Sequence, residues 1–312
     1  MSFRSSLLAT ALAVGMATPA LAVPLIGMVE GTLVQFDSAT PNTVQRSLTI
    51  TGMSGETLRG IDTRPRDGVL YGLGTRGNIY TIDTVTGAAS RLTTTPLPIV
   101  VGDGNGQVGF GFNPQADRIR IVSEFGSSLR AFPDTGVPGQ PGNLVRDDGP
   151  LRFADTDPNR SATPAVAAVG YTNQLAGTIT STMFLVIDAV TDSLLFVAQP
   201  NDSIVTTIGR LGIDIGVGNV SSFDIDGATG IGYAVLTPQG GDSPGLYTIN
   251  LATGAATLVG GFDVNGNRIT DIAVGSLGPL AVPEPASLAL LGMGLLGLTA
   301  VRRRKPAGAR PA

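Results

Sequence analysis

The chain reads as all-β: a β-propeller of five four-stranded blades closed by its own two ends, with one helix beyond the propeller. Three observations predict the propeller. Short alternating strands are bounded by Gly, Asp, Asn and Pro, with no sustained helical stripe. One strand-and-turn unit recurs along the body. The two ends of the body each hold only part of that unit, and the parts are complementary.

Taken in order, residues 1–22 come first. "MSFRSSLLATALAVGMATPALA" has an early cation, Arg4, an apolar stretch from Leu7 to Met16, and Ala20-Leu21-Ala22. This is the pattern of a secretory signal peptide, with cleavage expected after Ala22 at an A-x-A site. Residues 23–280 form the propeller body. "GTLVQFDSATPNTVQRSLTI" supplies a third and a fourth strand. Gly60–Thr94 contains a whole unit: an inner strand ending at Asp62, a turn around Pro65–Gly68, a second strand Val69–Gly74, a third Asn78–Asp83, the turn Asp83–Gly87, and a fourth strand Ala88–Thr94. Asp caps backbone N–H groups in such turns and Gly supplies positive φ.

The unit returns in Gly109–Gly136, Ala165–Gly209 and Ser221–Gly260. The turns after the third strands fall at Asp37, Asp83, Pro133, Gln199 and Asn250, about 50 residues apart with one longer interval. The longer interval leaves room for a sixth blade between Pro138 and Thr163. "RITDIAVGSLG", near the end of the body, supplies an inner strand and part of a second. Leu33–Ile50 is therefore expected to close against Ile269–Val274, which removes the open edges of the ring.

The tail, residues 281–305, has three parts: Val282-Pro283-Glu284-Pro285, an uncharged run over 286–301, and Arg302, Arg303, Arg304 and Lys305. As a helix the run reaches roughly 24 Å, enough to span a bilayer if the arginines snorkel. The basic cluster belongs on the cytoplasmic side, with residues 306–312 a disordered cytoplasmic tail. These parts, in this order, resemble the PEP-CTERM sorting signal of Gram-negative bacteria. The resemblance implies an exosortase-type membrane transpeptidase as partner. It also implies membrane anchoring until processing, then the cell surface or extracellular space, and an association with exopolysaccharide or biofilm. The stretches "GIDTRPRDGVLYGLG", "FNPQADRIRIVSE", "LRAFPDTG" and "QPNDSIVTTIGRLG" resemble an uncharacterised family of bacterial secreted propeller-like domains. That resemblance implies the fold and no activity.

Composition excludes much chemistry. There is no Cys, no His and no Trp, and the one lysine is Lys305. Ser-His-Asp and Cys-His catalysis and His- or Cys-ligated zinc are ruled out. With residues 1–22 and 286–312 set aside, 14 arginines face 24 acids, a net charge of −10. Such a surface repels nucleic acid.

What remains is carboxylate chemistry and oxygen-ligated metals. Asp62, Asp224 and Asp271 are expected at equivalent inner-strand positions in three blades, where inner strands line a propeller's channel; they are candidates for a ligand or calcium, or else they cap turns. "DTDPNRS" places Asp155 and Asp157 at alternate positions, a partial calcium-loop pattern interrupted by Pro158. "DVNGNRITD" offers Asp263, Asn265, Asn267 and Asp271. The glycines of Asp103–Phe112 suit a tight inner strand better than a phosphate loop. Arg118, Arg120 and Arg130, near Glu124, can grip an acidic sugar or form salt bridges on a solvent-facing strand. The reading that follows is an exported, non-enzymatic surface or matrix propeller. The alternative is a carboxylate-dependent glycoside hydrolase or lyase.

Overall fold

A computed structural model describes residues 22–99, 106–133, 143–219, 221–241, 243–262 and 268–279. Among these residues there is no helix. Blade one takes three strands from the N-terminal end: β1 (Pro24–Val29), β2 (Thr32–Asp37) and β3 (Arg46–Thr49). Blade two is β4 (Leu58–Thr63), β5 (Leu70–Gly74), β6 (Ile79–Ile82) and β7 (Ala89–Arg91). Blade three is β8 (Val108–Asn113), β9 (Arg118–Ser123), β10 (Ser128–Ala131) and β11 (Leu144–Asp147). A two-residue strand, β12 (Arg152–Phe153), precedes blade four, which is β13 (Val166–Tyr171), β14 (Phe184–Asp188), β15 (Ser193–Gln199) and β16 (Ile204–Arg210). Blade five is β17 (Ser221–Ile225), β18 (Gly232–Leu236), β19 (Gly245–Ile249) and β20 (Ala256–Gly261). The last strand, β21 (Asp271–Val274), is the inner strand of blade one.

Five blades are present, and the closure differs in detail from the sequence expectation. β21 pairs antiparallel with β1, from Leu25–Val274 to Met28–Asp271. The C-terminal end thus gives one strand and the N-terminal end gives three. Leu33–Ile50 does not meet β21, because β1 lies between them. The overlooked β1 is joined to β2 by Glu30 and Gly31, both at positive φ (41° and 79°), the two-residue turn that matches strand twist. Nor does the insertion between blades three and four build a sixth blade. It supplies β11, and β12 lies parallel to β16 on the outer edge of blade four.

The turns follow their sequence. Asp83 Oδ1 accepts the N–H groups of Val85 and Thr86 at 2.8 Å, and Gly87 sits at φ 77°. Between blades lie five apolar layers, one per neighbouring pair. Ile26, Met28 and Leu33 of blade one meet Ile61, Leu70 and Ile82 of blade two, for example. The closing layer joins Leu25, Phe36 and Ile272 to Tyr233, Val235 and Leu246 of blade five. Each fully buried aliphatic side chain contributes about 1.5–3 kcal/mol. A polar staple adds to this at the turns of blades two and three: Arg64, 1% exposed, donates to Asp117 at 2.5 and 2.7 Å and to Asp67 at 2.8 Å. The inner strands meet in a ring, β4 to β8 to β13 to β17 to β21 and back to β4.

Candidate functional site

An inner strand is the edge strand of its blade, so its outer backbone N–H groups have no ladder partner. In three places an aspartate supplies the acceptor. Asp62 Oδ1 accepts Thr63 N–H at 2.7 Å, and its Oδ2 crosses from β4 to Phe112 N–H of β8, also at 2.7 Å. Asp224 repeats the pattern: Oδ1 takes Ile225 N–H at 2.7 Å and Oδ2 takes Val274 N–H of β21 at 2.6 Å. Asp271 Oδ2 accepts Ile61 N–H of β4 at 2.6 Å. Its Oδ1 takes Ile272 N–H at 3.0 Å and the Ser222 hydroxyl. Asp62 and Asp224 occupy equivalent positions, opposite Tyr71 and Tyr233. Asp271 does not share that level; it lies opposite Met28 at the start of its strand, three residues before the Val274 that Asp224 reaches.

All three side chains are buried, at 4, 6 and 9% exposure. Burial dominates their titration. It pushes the Asp224 and Asp271 carboxyls up to about 7. Burial also raises Asp62 well above the usual carboxylate range, with the Asp224 and Asp271 charges adding to the effect. The hydrogen bonds from N–H groups favour the charged form but only partly offset desolvation. Chemically the arrangement is a set of near-neutral acids whose oxygens are already engaged by the chain's own donors. Among the described residues, no group of three or more acids is placed to hold a metal ion.

The remaining candidates separate. Asp155 is exposed. Asp157 is buried and ties its loop to β16, accepting Thr207 N–H at 2.6 Å and Asn159 N–H at 2.8 Å. The structure does not bring either next to the channel acids by any hydrogen bond. Asp263, Asn265 and Asn267 lie outside the described residues, as do Ala20, Val282, Pro283, Glu284, Pro285, Arg302, Arg303 and Arg304; Ala22 is exposed. Gly109 and Gly111 lie on inner strand β8, where a Cβ would sit 2.5 Å and 3.3 Å from Val169 side-chain atoms.

The arginines are arranged differently from the expected solvent-facing strand. Arg120 is 2% exposed. It donates to Asp148 at 2.7 Å, to Ser128 Oγ at 3.2 Å and to the Tyr171 hydroxyl at 3.3 Å. Its guanidinium lies 5.1 Å over the Phe184 ring, which stacks on Tyr171. Arg130 and Arg146 reach the other oxygen of Asp148 at 2.5 and 3.0 Å. Arg118 lies 4.5 Å over Phe132. The common acid of Arg120, Arg130 and Arg146 is Asp148, not Glu124. Sequence reasoning missed Asp148 and Tyr171, and only alternation along β9 pointed toward the cluster.

The chain is similar to several solved structures. A chain of a nidogen/laminin complex crystal structure is similar, with 11% identity over 82% of this chain and 100% of that one, at a TM-score of 0.44. Auxiliary nutrient binding proteins from Bacteroides thetaiotaomicron and Bacteroides ovatus are each 14% identical over 67% of this chain and 55% of theirs, at TM-scores of 0.39 and 0.41. No curated protein matches. The PEP-CTERM protein-sorting motif matches residues 281–305, a substrate signal for exosortase that implies export and membrane anchoring before processing. The model of the family described as "Domain of unknown function (DUF4394)" matches residues 32–273, most of the propeller, and the chain belongs to that family.

Proposed function

We propose that this exported propeller is a non-enzymatic module of the cell surface or extracellular matrix, associated with exopolysaccharide. One observation carries the non-enzymatic part. Every channel carboxylate spends its oxygens on backbone N–H groups of its own and the next inner strand. A catalytic acid needs a free oxygen facing substrate. The test uses the native host. Mass spectrometry of protein recovered from the matrix should find a chain lacking Arg302–Lys305 that co-fractionates with exopolysaccharide. A C-terminus reaching Ala312 in membranes alone would make the tail a plain anchor.

A second reading has its own support. Asp224 and Asp271, pushed to about 7, have the proton affinity of a general acid at neutral pH. A glycoside hydrolase or lyase would use such a pair. Release of sugar ends from a polysaccharide, abolished in Asp224→Asn, would replace the binding reading.

A further inference from the structure

We infer that the cavity between blades three and four binds one carboxylate-bearing sugar unit through Arg118, Arg120 and Arg130. The cavity has a volume of about 310 Å³. Asn113, Arg118, Arg120, Arg130, Tyr171 and Asn201 line it, at the β8–β9 and β15–β16 turns.

Charge is the first reason. Arg120, Arg130 and Arg146 share the single carboxylate of Asp148, whose side chain is fully buried. Three cations on one anion leave an excess of two. Arg118 adds another. Its guanidinium donates to the carbonyl oxygens of Ala116 and Asp117 at 3.2 and 2.8 Å, and among the described residues it pairs with no carboxylate. The neighbouring Asp117 side chain is committed to Arg64 and Arg66. This positive pocket sits in a body whose exported part has a net charge of −10. Coulombic attraction in a partly enclosed cavity favours an anion there.

An unmet donor is the second reason. Arg130 Nε is buried without a hydrogen-bond partner among the described residues. Leaving such a donor unpaired is unfavourable, and a small shift of the half-buried Arg130 side chain toward a ligand oxygen would relieve it. The site is also preorganised. Asp148, Ser128 and Tyr171 hold Arg120 in place, and Phe132 supports Arg118. Little side-chain freedom is left to lose on binding.

Shape and chemistry narrow the ligand. Planar guanidiniums match a carboxylate through two parallel N–H···O bonds, as Arg64 does with Asp117 through Nε and Nη2. Asn201 offers both a donor and an acceptor, which suits sugar hydroxyls. Ile119, Val145 and Pro200 give the cavity an apolar wall for the C–H face of a ring. The volume is at the lower limit of small-ligand sites, ~300–1,000 Å³, room for a monosaccharide unit. Only the source of the sugar, an exported polysaccharide, rests on the proposed function.

The probe is glucuronate, titrated calorimetrically into the full-length chain in neutral detergent at low salt, with glucose and inorganic phosphate as controls. Glucuronate should bind saturably and glucose should not. Arg118→Gln should weaken glucuronate at least about tenfold, the worth of one charge-assisted hydrogen bond, at an unchanged melting temperature. Arg130→Gln should weaken it too. The inference is overturned by absent glucuronate binding, by glucose binding as well, or by phosphate binding tighter than glucuronate. A well-folded Arg118→Gln with wild-type affinity overturns it equally. Each of these leaves the host fractionation result untouched.

Discussion

The inner ring has two kinds of joint. Between β21 and β4, β4 and β8, and β17 and β21, an aspartate reaches from one strand to a backbone N–H of the next. Between β8 and β13, and between β13 and β17, the strands close on glycine. A Cβ on Gly109 would lie 2.5 Å from Val169 Cγ1, and one on Gly170 would lie 2.9 Å from two Phe223 ring carbons. The polar bridge near these joints is Gln174, just beyond β13, which donates to Phe112 O at 3.2 Å. The centre of a propeller is crowded and its strand edges are unpaired. The aspartates answer the unpaired edge and the glycines answer the crowding, and the β4–β8 joint uses both, since a Cβ on Gly60 would lie 2.7 Å from Phe110 Cβ. The aspartate joints cluster around β21, the strand that closes the ring.

The largest expected effect comes from removing that closure. β21 donates one carboxylate, from Asp271, and receives another, from Asp224, so its loss opens two of the three aspartate joints. It also strips β1 of its inner neighbour. A chain ending before Asp271 should lose cooperative thermal unfolding by circular dichroism across the whole domain. Retention of the full melting temperature would mean that the ring does not depend on closure.

Single substitutions set the two joint types against each other. Asp224→Ala strands the N–H groups of Val274 and Ile225, a cost of about 3 kcal/mol. Gly170→Ala forces Phe223 aside, a cost of about 2 kcal/mol because a side chain rather than backbone gives way. Denaturant unfolding of both variants ranks the joints. If the glycine substitution costs more, steric fit outranks the carboxylate bridges in holding the ring.

This ranking also marks what the sequence could convey. Blade number was legible because each turn carries its own chemistry within five residues, as in Asp83–Gly87. The strand β1 carried a signal too, in Glu30-Gly31, but an assumed two-plus-two closure hid it. A two-residue parallel strand such as β12 has no period to detect. The channel aspartates were legible as inner-strand acids. Their work was not, since Asp271 meets Ile61 across a separation of 210 residues. Likewise, alternation placed Arg118 and Arg120 together, while nothing local linked them to Asp148 or Tyr171.

Acidity should separate the joints more gently. Asp224 and Asp271 rise from 3.8 to about 7 in the folded protein. Between those values the folded chain holds protons that the unfolded chain has released. Stability is therefore highest at the acid end of that window. It falls as pH rises from about 4 to about 7 and levels off above. Melting temperatures across this range should decline for the wild type and decline less for Asp224→Asn. A rise over the same window would mean that the hydrogen bonds to the ionised carboxylates outweigh burial.

Calcium should have the smallest effect, and it asks whether the aspartate joints are finished contacts or an open site. A calcium ion requires six to eight oxygen ligands. Here Asp62 Oδ1 and Oδ2, Asp224 Oδ1 and Oδ2, and Asp271 Oδ2 each face a backbone N–H at 2.6–2.7 Å. A cation would have to displace those donors, leaving inner-strand N–H groups without partners. It would also have to ionise fully two carboxyls that burial leaves about half protonated at pH 7. Both costs oppose binding, so millimolar calcium should shift the melting temperature by less than about one degree. A larger shift that disappears in the double variant Asp62→Ala, Asp224→Ala would reverse this conclusion. The carboxylates would then be exchanging backbone donors for metal, and the joints that close the ring would double as its ligand site.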